Sequence, residues 1–159
     1  MGELADVIVL GAGLAGCATA WHLAPDHGVL VLEQGAAPGA EATAQNAGMV
    51  RRLGEDPAER ALAMRTFDFL ANPGDDWRGL SVSDETGALL GLAHDPYYLH
   101  DAVAHLRQHG VPVEALDEAD VARLAPALHG TRLQQAWWLP TERVADPHAM
   151  MTGYLRGLR

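Results

Sequence analysis

An α/β fold that opens with a strand–helix–strand unit is predicted from three features near the amino terminus. Continuous apolar runs lie at residues 7–10 and 29–32, and the first, in a strand predicted at residues 6–10, has the character of a parallel strand that is buried on both faces. A glycine-rich turn follows the first run directly, and residues 14–23 are rich in small side chains that let a helix lie close to a sheet. Because parallel strands joined by a helix connect right-handedly, these features predict one βαβ unit.

The composition is that of a soluble globular protein. Of the 159 residues, 48% are apolar and 20% are charged, which suits a packed domain rather than a disordered chain. There are 21 acidic residues and 11 basic ones, all arginines, for a formal net charge of −10. Since no basic stripe exists to displace phosphate counterions, nucleic acid is excluded as a partner and an anionic membrane surface is disfavoured.

Cellular location is predicted from signals that the sequence lacks. The first apolar run is too short, and too soon followed by glycine, for a secretory signal. No stretch reaches the roughly 18 apolar residues of a membrane span. Cys17 is the single cysteine, so no disulfide framework is expected, and its place among small helical residues predicts a packing role. We therefore expect a cytoplasmic protein with no membrane span.

Four later helices are predicted from start signals in which an aspartate caps the first turn. These starts are Asp56-Pro57, Asp95-Pro96, Asp117 and Asp146-Pro147. The first of these helices should run to about Ala71, and the second should end at Gly110, which suits a left-handed residue after a helix. Strands are predicted at residues 80–83, 88–93, 113–116 and 134–139. From about residue 75 the pattern therefore indicates a second unit with helices and strands.

The turn after the first strand has the spacing of a Rossmann-like dinucleotide-binding unit. It reads Gly11-Ala12-Gly13-Leu14-Ala15-Gly16, or G-x-G-x-x-G. Gly11 permits the tight turn, Gly13 leaves room for a pyrophosphate against bare backbone, and Gly16 allows the helix to pack closely on the sheet. The phosphates would then meet free N–H groups at the positive end of the helix dipole.

Glu33 completes this pattern at the end of the second strand. A carboxylate there accepts hydrogen bonds from ribose hydroxyls and would repel a 2′-phosphate, so NADP is disfavoured. The fingerprint alone leaves FAD and NAD open. The loop at residues 42–48 favours FAD, because its small side chains, hydroxyl and amides can pass beside the pyrophosphate and reach a flavin ring. An ordinary surface loop is the alternative interpretation.

Three segments carry a resemblance to a known family. They are residues 7–16, 31–33 and 45–49, which read VIVLGAGLAG, VLE and QNAGM. Together they resemble the beginning of the FAD-dependent amine and D-amino-acid oxidoreductases, the family of glycine oxidase, sarcosine oxidase and D-amino-acid dehydrogenase. Residues 116–128 are similar to that family's helix followed by Leu-x-Pro, and residues 137–147 to the start of its helix that returns to the flavin domain.

The resemblance implies FAD as the cofactor and two groups of residues that bind it. The group that would face the pyrophosphate and the adenosine ribose is Gly11, Ala12, Gly13, Leu14, Ala15, Gly16, Glu33 and Gln34. The group that would approach the phosphates and the flavin is Thr43, Ala44, Asn46, Ala47, Gly48 and Met49. The substrate would be an amino acid or amine that gives a hydride to the flavin. No catalytic acid or base can be matched within these 159 residues.

Members of that family are usually much longer, so the resemblance implies the amino-terminal portion of an oxidoreductase. We expect residues 1–74 to belong to an FAD-binding domain, residues 75–145 to part of an α+β substrate domain, and residues 146–159 to a helix that returns to the FAD-binding domain. The chain would then be a truncated product, a fragment or one chain of a split enzyme.

Two other functions are open on the sequence. A non-catalytic dinucleotide-binding fragment would retain FAD weakly or not at all, would expose apolar sheet surface, and would dimerise or aggregate. An NAD-dependent enzyme is allowed by the glycine turn but disfavoured by the loop at residues 45–48.

Two further groups of polar residues carry weaker signals. His105 and His109 are four residues apart, with Asp101 one turn earlier, and this spacing can bind a metal. A solvated helix face is the favoured interpretation, so no metal is predicted. Arg51 and Arg52 follow the loop that would reach the flavin, and they either steer an anionic substrate or, as we favour, occupy plain surface.

Overall fold

The computed structural model describes residues 4–94 and 97–158. The helices are α1 (Leu14–Leu23), α2 (Pro57–Ala71), α3 (Tyr97–Gln108), α4 (Glu118–Leu124) and α5 (Pro147–Gly157). The strands are β1 (Val7–Leu10), β2 (Val29–Leu32), β3 (Met49–Val50), β4 (Ser83–Glu85), β5 (Ala88–Leu92), β6 (Glu114–Ala115), β7 (Gln135–Leu139) and β8 (Arg143–Ala145). Short 3-10 turns occupy Asp75–Trp77 and Pro126–Leu128. In these described ranges no helix is both long enough and apolar enough to cross a bilayer.

The capping signals of the predicted helices are confirmed. The Asp117 carboxylate accepts the Asp120 N–H at 2.8 Å as half of a capping box at α4. The Asp146 carboxylate accepts the His148 N–H at 2.8 Å at the start of α5. Gly110, with a φ of 74°, follows α3 in the left-handed conformation. The predicted start at Asp95-Pro96 lies outside the described residues.

The strands agree less well with the sequence pattern. The strand predicted at residues 80–83 is displaced, because regular pairing begins at Ser83 and ends at Glu85. Strands β3 and β8 were not predicted, since each has only two or three residues and little apolar alternation. The three form one sheet in the order β3-β8-β4. These three strands lie far apart in the sequence, so no local pattern of residues could predict that they pair.

The chain divides into two compact units. The first comprises Met1–Met49, Leu70–Ser83 and Ala145–Arg159, and the second comprises Val50–Phe69 and Asp84–Val144. Residues 50–69 therefore lie with the second unit, whereas the sequence-based division grouped them with the FAD-binding portion. Which unit serves the cofactor and which serves the substrate stays a prediction.

The first unit is built on the predicted βαβ arrangement. Strands β1 and β2 pair in parallel over their whole length, with Val7 opposite Val29. Helix α1 packs against both strands and also beside α5. On α5, the ring of Tyr154 lies edge-on to the ring of Trp77, with centroids 4.7 Å apart. Gly153 adjoins the Trp77 ring so closely that no side chain would fit there.

One face of this parallel sheet is exposed. The side chains on that face retain 57% of their accessible surface at Ile8, 80% at Leu10, 45% at Leu30 and 47% at Leu32. The expectation that the first strand is buried on both faces is therefore wrong for the described residues. The apolar side chains of each strand alternate between the two faces of the sheet. Helix α1 packs on one face, and the face that carries Ile8, Leu10, Leu30 and Leu32 is exposed.

The second unit has an antiparallel sheet in the order β5-β7-β6, with Leu90 opposite Trp137. Helix α3 buries its predicted apolar face in the core of this unit. The core residues are Leu53, Leu92, Leu99, Ala102, Val103, Leu106, Val111, Trp137 and Leu139. This combination of an antiparallel sheet with helices is the α+β character that was predicted for the later part of the chain.

A buried ion pair in the second unit corrects the interpretation of Arg52. Its Nε lies 2.9 Å from Glu142 Oε1, and its backbone N–H donates to Glu142 Oε2 at 3.0 Å. The guanidinium also donates to Thr141 Oγ1 at 2.6 Å and lies 4.0 Å above the Phe67 ring. The two charged side chains are only 8% and 2% exposed. A plain surface role is therefore wrong for Arg52, whereas Arg51 is exposed.

Removing one partner of this pair should destabilise the protein strongly. We expect Glu142→Ala to lower the free energy of unfolding by about 3–5 kcal/mol, because a buried guanidinium would lose its counter-charge. The control is Glu85→Ala, which breaks the more exposed pair between Glu85 and Arg143 and should cost about 1 kcal/mol or less. Chemical denaturation of both variants measures the difference, and equal small losses would contradict a structural role for the buried pair.

Candidate dinucleotide-binding site

The glycine turn brings the first turn of α1 directly against the end of β1. Gly11 has a φ of 97°, which residues with a side chain rarely adopt. A methyl group at Gly16 would overlap the Gly11 carbonyl oxygen and touch the side chain of Val9. The tight turn and the close approach predicted for these two glycines are thus both present.

The start of α1 presents backbone N–H groups beside the Thr43 hydroxyl. The first intrahelical bond runs from the Cys17 N–H to the Gly13 carbonyl at 2.9 Å. The N–H groups of residues 14–16 therefore have no acceptor within the helix. Thr43 Oγ1 accepts the first of them, from Leu14, at 2.9 Å. The Thr43 hydroxyl keeps its own hydrogen to donate to an anion, and a side chain at Gly13 would press on this oxygen.

Glu33 is held as a carboxylate beside the same turn. Its Oε2 accepts the Ala12 N–H and its Oε1 accepts the Gly35 N–H, each at 2.7 Å. The bond from Gly35 first, and that from Ala12 second, lowers the pKa of Glu33 below its ordinary value of 4.5. An ionised carboxylate has about four lone-pair positions. The N–H groups of Ala12 and Gly35 use two of them and the Gln34 N–H also acts on the carboxylate, so part of this capacity remains for a sugar hydroxyl.

The loop between β2 and β3 is fixed by backbone hydrogen bonds. The Gly39 N–H donates to the Ala12 carbonyl at 2.9 Å, which ties the middle of the loop to the glycine turn. Asn46 Oδ1 accepts the Gly48 N–H at 2.5 Å. The Gly48 carbonyl in turn accepts the Ala145 N–H at 2.7 Å. The loop is therefore an ordered wall of the site.

Two grooves of the first unit meet at this loop. The larger, of about 610 Å³, is lined by Leu10, Gly11, Gly13, Leu32, Glu33, Gln34, Gly39, Ala40, Glu41, Ala42 and Thr43. The smaller, of about 370 Å³, is lined by Pro38, Gly39, Thr43, Ala44, Asn46, Asp146, Pro147, His148 and Met151. Because Gly39 and Thr43 line both, the two grooves form one candidate site, which we call the nucleotide groove.

Not every predicted site residue lines the nucleotide groove. One contributes only backbone groups beside it, and others line neither of its two parts. Ala12 is buried and offers its backbone to Glu33 and Gly39. Ala47 and Met49 are exposed and Gly48 is buried. The other predicted residues that line neither groove are Leu14, Ala15, Gly16, Ala47, Gly48 and Met49.

Sequence reasoning missed the residues at the start of α5. Asp146 and His148 line the smaller groove beside Thr43. Asp146-Pro147 carried a recognisable helix-start signal, but its closeness to a loop about 100 residues earlier depends on the tertiary fold. Pro38 and Gly39, also missed, lay in a loop stretch whose composition indicated no particular geometry.

Cys17 takes no part in the groove. Its side chain is fully buried, and its thiol donates to the Ala12 carbonyl at 3.6 Å. Burial first, and the negative charge of Glu33 second, raises the pKa of this thiol. The thiol is therefore held protonated, as a packing role requires.

The ring of His105 in α3 lies beside the ring of His109, just after the end of that helix, with centroids 4.2 Å apart. Burial first, then the neighbouring His109 and Arg60, lowers the pKa of His105. Across residues 4–94 and 97–158, no group of three or more histidine, cysteine or carboxylate side chains is arranged to hold a metal.

The glycine turn, the helix amides and the ionised Glu33 define an α/β protein of the Rossmann-like dinucleotide-binding class. Residues 6–159 match the DAO family, described as FAD dependent oxidoreductase. The chain belongs to that family, which confirms the resemblance seen in the sequence.

Several relatives share this fold. D-amino acid dehydrogenase 2 of Mesorhizobium japonicum is 36% identical over 103 residues, which cover 64% of this chain and 22% of that protein. L-proline dehydrogenase from P. horikoshii superposes with a TM-score of 0.81 at 23% identity, over 99% of this chain and 42% of its own. Glycine oxidase from Geobacillus kaustophilus gives a TM-score of 0.74 at 20% identity, over 97% and 44%. The chain therefore spans less than half the length of each relative.

The lowered pKa of Glu33 gives a pH dependence that can be measured. A carboxyl group with a depressed pKa in the folded state stabilises the protein above its unfolded pKa, and this contribution is lost as pH falls through the folded pKa. We expect the melting temperature of the wild type to fall more steeply than that of Glu33→Gln as the pH is lowered from 4.5. Glu41→Gln controls for the loss of one negative charge in the same loop. Parallel curves for the wild type and Glu33→Gln would contradict the assigned hydrogen bonds.

Proposed function

We propose that this chain is the FAD-binding part of an oxidoreductase that oxidises an amino acid or a secondary amine. The family is FAD dependent, and the relatives are named for D-amino acids, L-proline and glycine. These substrates share a C–H bond on a carbon that bears nitrogen. The chemistry supplied by bound FAD is the acceptance of a hydride from that carbon.

The observation that carries this proposal is that one βαβ unit presents both free N–H groups, at the start of α1, and the hydrogen-bonded carboxylate of Glu33. The N–H groups of Ala15 and Gly16 and the Thr43 hydroxyl suit the oxygens of a diphosphate. The remaining lone-pair capacity of Glu33 suits a ribose hydroxyl of adenosine. Gly13 leaves the space between them free of a side chain. The residues present therefore fit an adenine dinucleotide.

The loop at residues 43–48 suits the flavin side of the cofactor. Asn46 uses its side-chain oxygen within the loop and retains its amide nitrogen for donation. His148 and Met151 face the same smaller groove from α5. These residues would hold and orient the cofactor, whereas the groups that act on the substrate are not assigned to this chain.

A non-catalytic fragment or one chain of a split flavoenzyme is the second candidate. The exposed apolar face of the β1–β2 sheet and the short coverage of the relatives both favour it. A non-catalytic fragment would retain FAD weakly or not at all, whereas one chain of a split flavoenzyme would leave turnover to a larger assembly. An NAD-dependent enzyme is disfavoured by the FAD-dependent family, and a cytoplasmic location stays a prediction.

Cofactor choice can be tested by equilibrium dialysis against FAD and NAD on one sample. We expect FAD to bind more tightly than NAD. Thr43→Val should weaken FAD binding about tenfold, because it removes one hydrogen bond to a charged phosphate. Thr43→Ser keeps the hydroxyl and should bind nearly as the wild type does. Tighter binding of NAD, or equal binding by Thr43→Val and Thr43→Ser, would contradict the assignment.

Substrate class can be tested on the FAD-loaded protein together with any polypeptide that completes the enzyme. Under anaerobic conditions we expect glycine, L-proline or a D-amino acid to bleach the flavin absorption near its visible maximum, because the hydride reduces the ring. A 2-hydroxy acid without nitrogen serves as the control and should not bleach it. Bleaching by the hydroxy acid alone would reject an amine or amino-acid substrate.

A further inference from the structure

A groove in the second unit lies between α4 and the start of β7, and we call it the α4–β7 groove. Its volume is about 510 Å³, and its lining residues all fall within 116–122 and 128–136. Val121 and Ala136 in this lining are each 6% exposed, whereas the charged lining residues Glu118 and Arg132 are exposed. Clefts of roughly 300–1,000 Å³ that combine apolar surface with a few polar groups are typical of small-molecule sites.

Backbone hydrogen bonds fix both walls of this groove. The Leu116 N–H donates to the Ala136 carbonyl at 2.9 Å, which joins the segment before α4 to β7. The Gln134 N–H donates to the Leu92 carbonyl at 2.7 Å, which joins the opposite wall to β5. The α4–β7 groove is therefore held by the hydrogen bonds of the second unit itself.

One cation and one anion of the groove are free to bind a ligand. Within residues 4–94 and 97–158, neither the Arg132 guanidinium nor the Glu118 carboxylate makes a hydrogen bond or an ion pair. The nearby Asp117 carboxylate is used differently, because it caps α4. Asp120 and Arg123 on the same helix pair with each other at 3.1 Å. The groove thus offers one free positive group and one free negative group.

A third polar group of the groove lacks a hydrogen-bond donor. Gln135 lines the groove, and its Oε1 is buried with no partner among the residues that the structure describes. A buried acceptor without a donor costs free energy that a new hydrogen bond would recover. A rotation of the terminal amide toward the groove would give this oxygen an N–H group of a bound ligand.

These groups favour a ligand that carries both charges. A ligand with only a carboxylate would pair with Arg132 but would meet the like charge of Glu118. A ligand with only an ammonium group would meet the like charge of Arg132. A zwitterion complements both side chains, and an aliphatic body would cover the apolar surface of Val121 and Ala136.

We propose that the α4–β7 groove binds an amino acid with an aliphatic side chain. The Arg132 guanidinium binds the carboxylate, for which its planar donors are suited. Glu118 binds the ammonium group, and Gln135 accepts from the same group once its amide has turned. The inference goes beyond the proposed function, because it requires neither FAD nor oxidation of the bound amino acid.

Backbone-amide NMR of the protein without FAD, titrated with L-leucine, tests this inference. The amide signals of Val121, Arg132 and Ala136 should move, with a dissociation constant on the order of 1 mM. The signals of Ala15 and Gly16 in the first unit should stay in place, since the α4–β7 groove shares no lining residue with the nucleotide groove.

Variants of the two free charges give the sharper test. Arg132→Gln and Glu118→Gln should each weaken leucine binding about tenfold, because each removes a charge-assisted hydrogen bond. The matched controls are Arg65→Gln on α2 and Glu114→Gln on β6, which remove the same charges at exposed positions outside the groove. Both controls should bind leucine as the wild type does.

Ligands that lack one charge check the class of ligand. Isocaproate has the carboxylate without the ammonium group, and isoamylamine has the ammonium group without the carboxylate. Each should bind about tenfold more weakly than leucine, because each leaves one charge of the groove unpaired.

Three results would overturn the inference. They are unchanged signals of the lining residues at about ten times the expected constant, equal leucine binding by the wild type and both groove variants, and binding of a singly charged ligand as tight as that of leucine. The titration contains no FAD, so failure of FAD binding would not imitate any of them. Loss of leucine binding alone would leave the proposed function intact.

Discussion

The contact between the Gly16 α-carbon and the Gly11 carbonyl oxygen sets the geometry of the nucleotide groove. Without a side chain at Gly16, helix α1 begins directly against the end of β1. In the same turn the Ala12 N–H donates to the carboxylate of Glu33, which follows the neighbouring strand. A larger residue would displace the start of the helix from the end of β1 and from Glu33. The two groups that we propose bind the diphosphate and the ribose thus depend on one missing methyl group.

The sequence was most informative where structure is encoded locally. Helix α1 and strand β2 have the predicted bounds, and the aspartate caps of α4 and α5 form because a cap and its amides are two or three residues apart. The buried pair of Arg52 and Glu142 joins residues 90 positions apart, so its opposite charges could not be matched in advance. The start of α5 beside the loop was missed for the same reason.

The β1–β2 sheet shows a different kind of disagreement. Its uniformly apolar sequence predicted burial on both faces, yet one face is exposed in the described chain. A uniformly apolar strand suits a parallel sheet that is covered on both faces, whereas in the described residues α1 packs on one face of these strands. The chain spans less than half of each of its relatives, and no catalytic residue was matched within it.

Backbone-amide NMR of the chain titrated with FAD and with ADP tests most directly whether α1 seats the diphosphate. ADP carries the ribose and the diphosphate without the flavin. The amide signals of Ala15 and Gly16 should move in the same direction with both ligands, because the same phosphate oxygens accept from them. The amide of Cys17, which is bonded within the helix, should move less. Unchanged signals for Ala15 and Gly16 at saturating FAD would contradict this mode of binding.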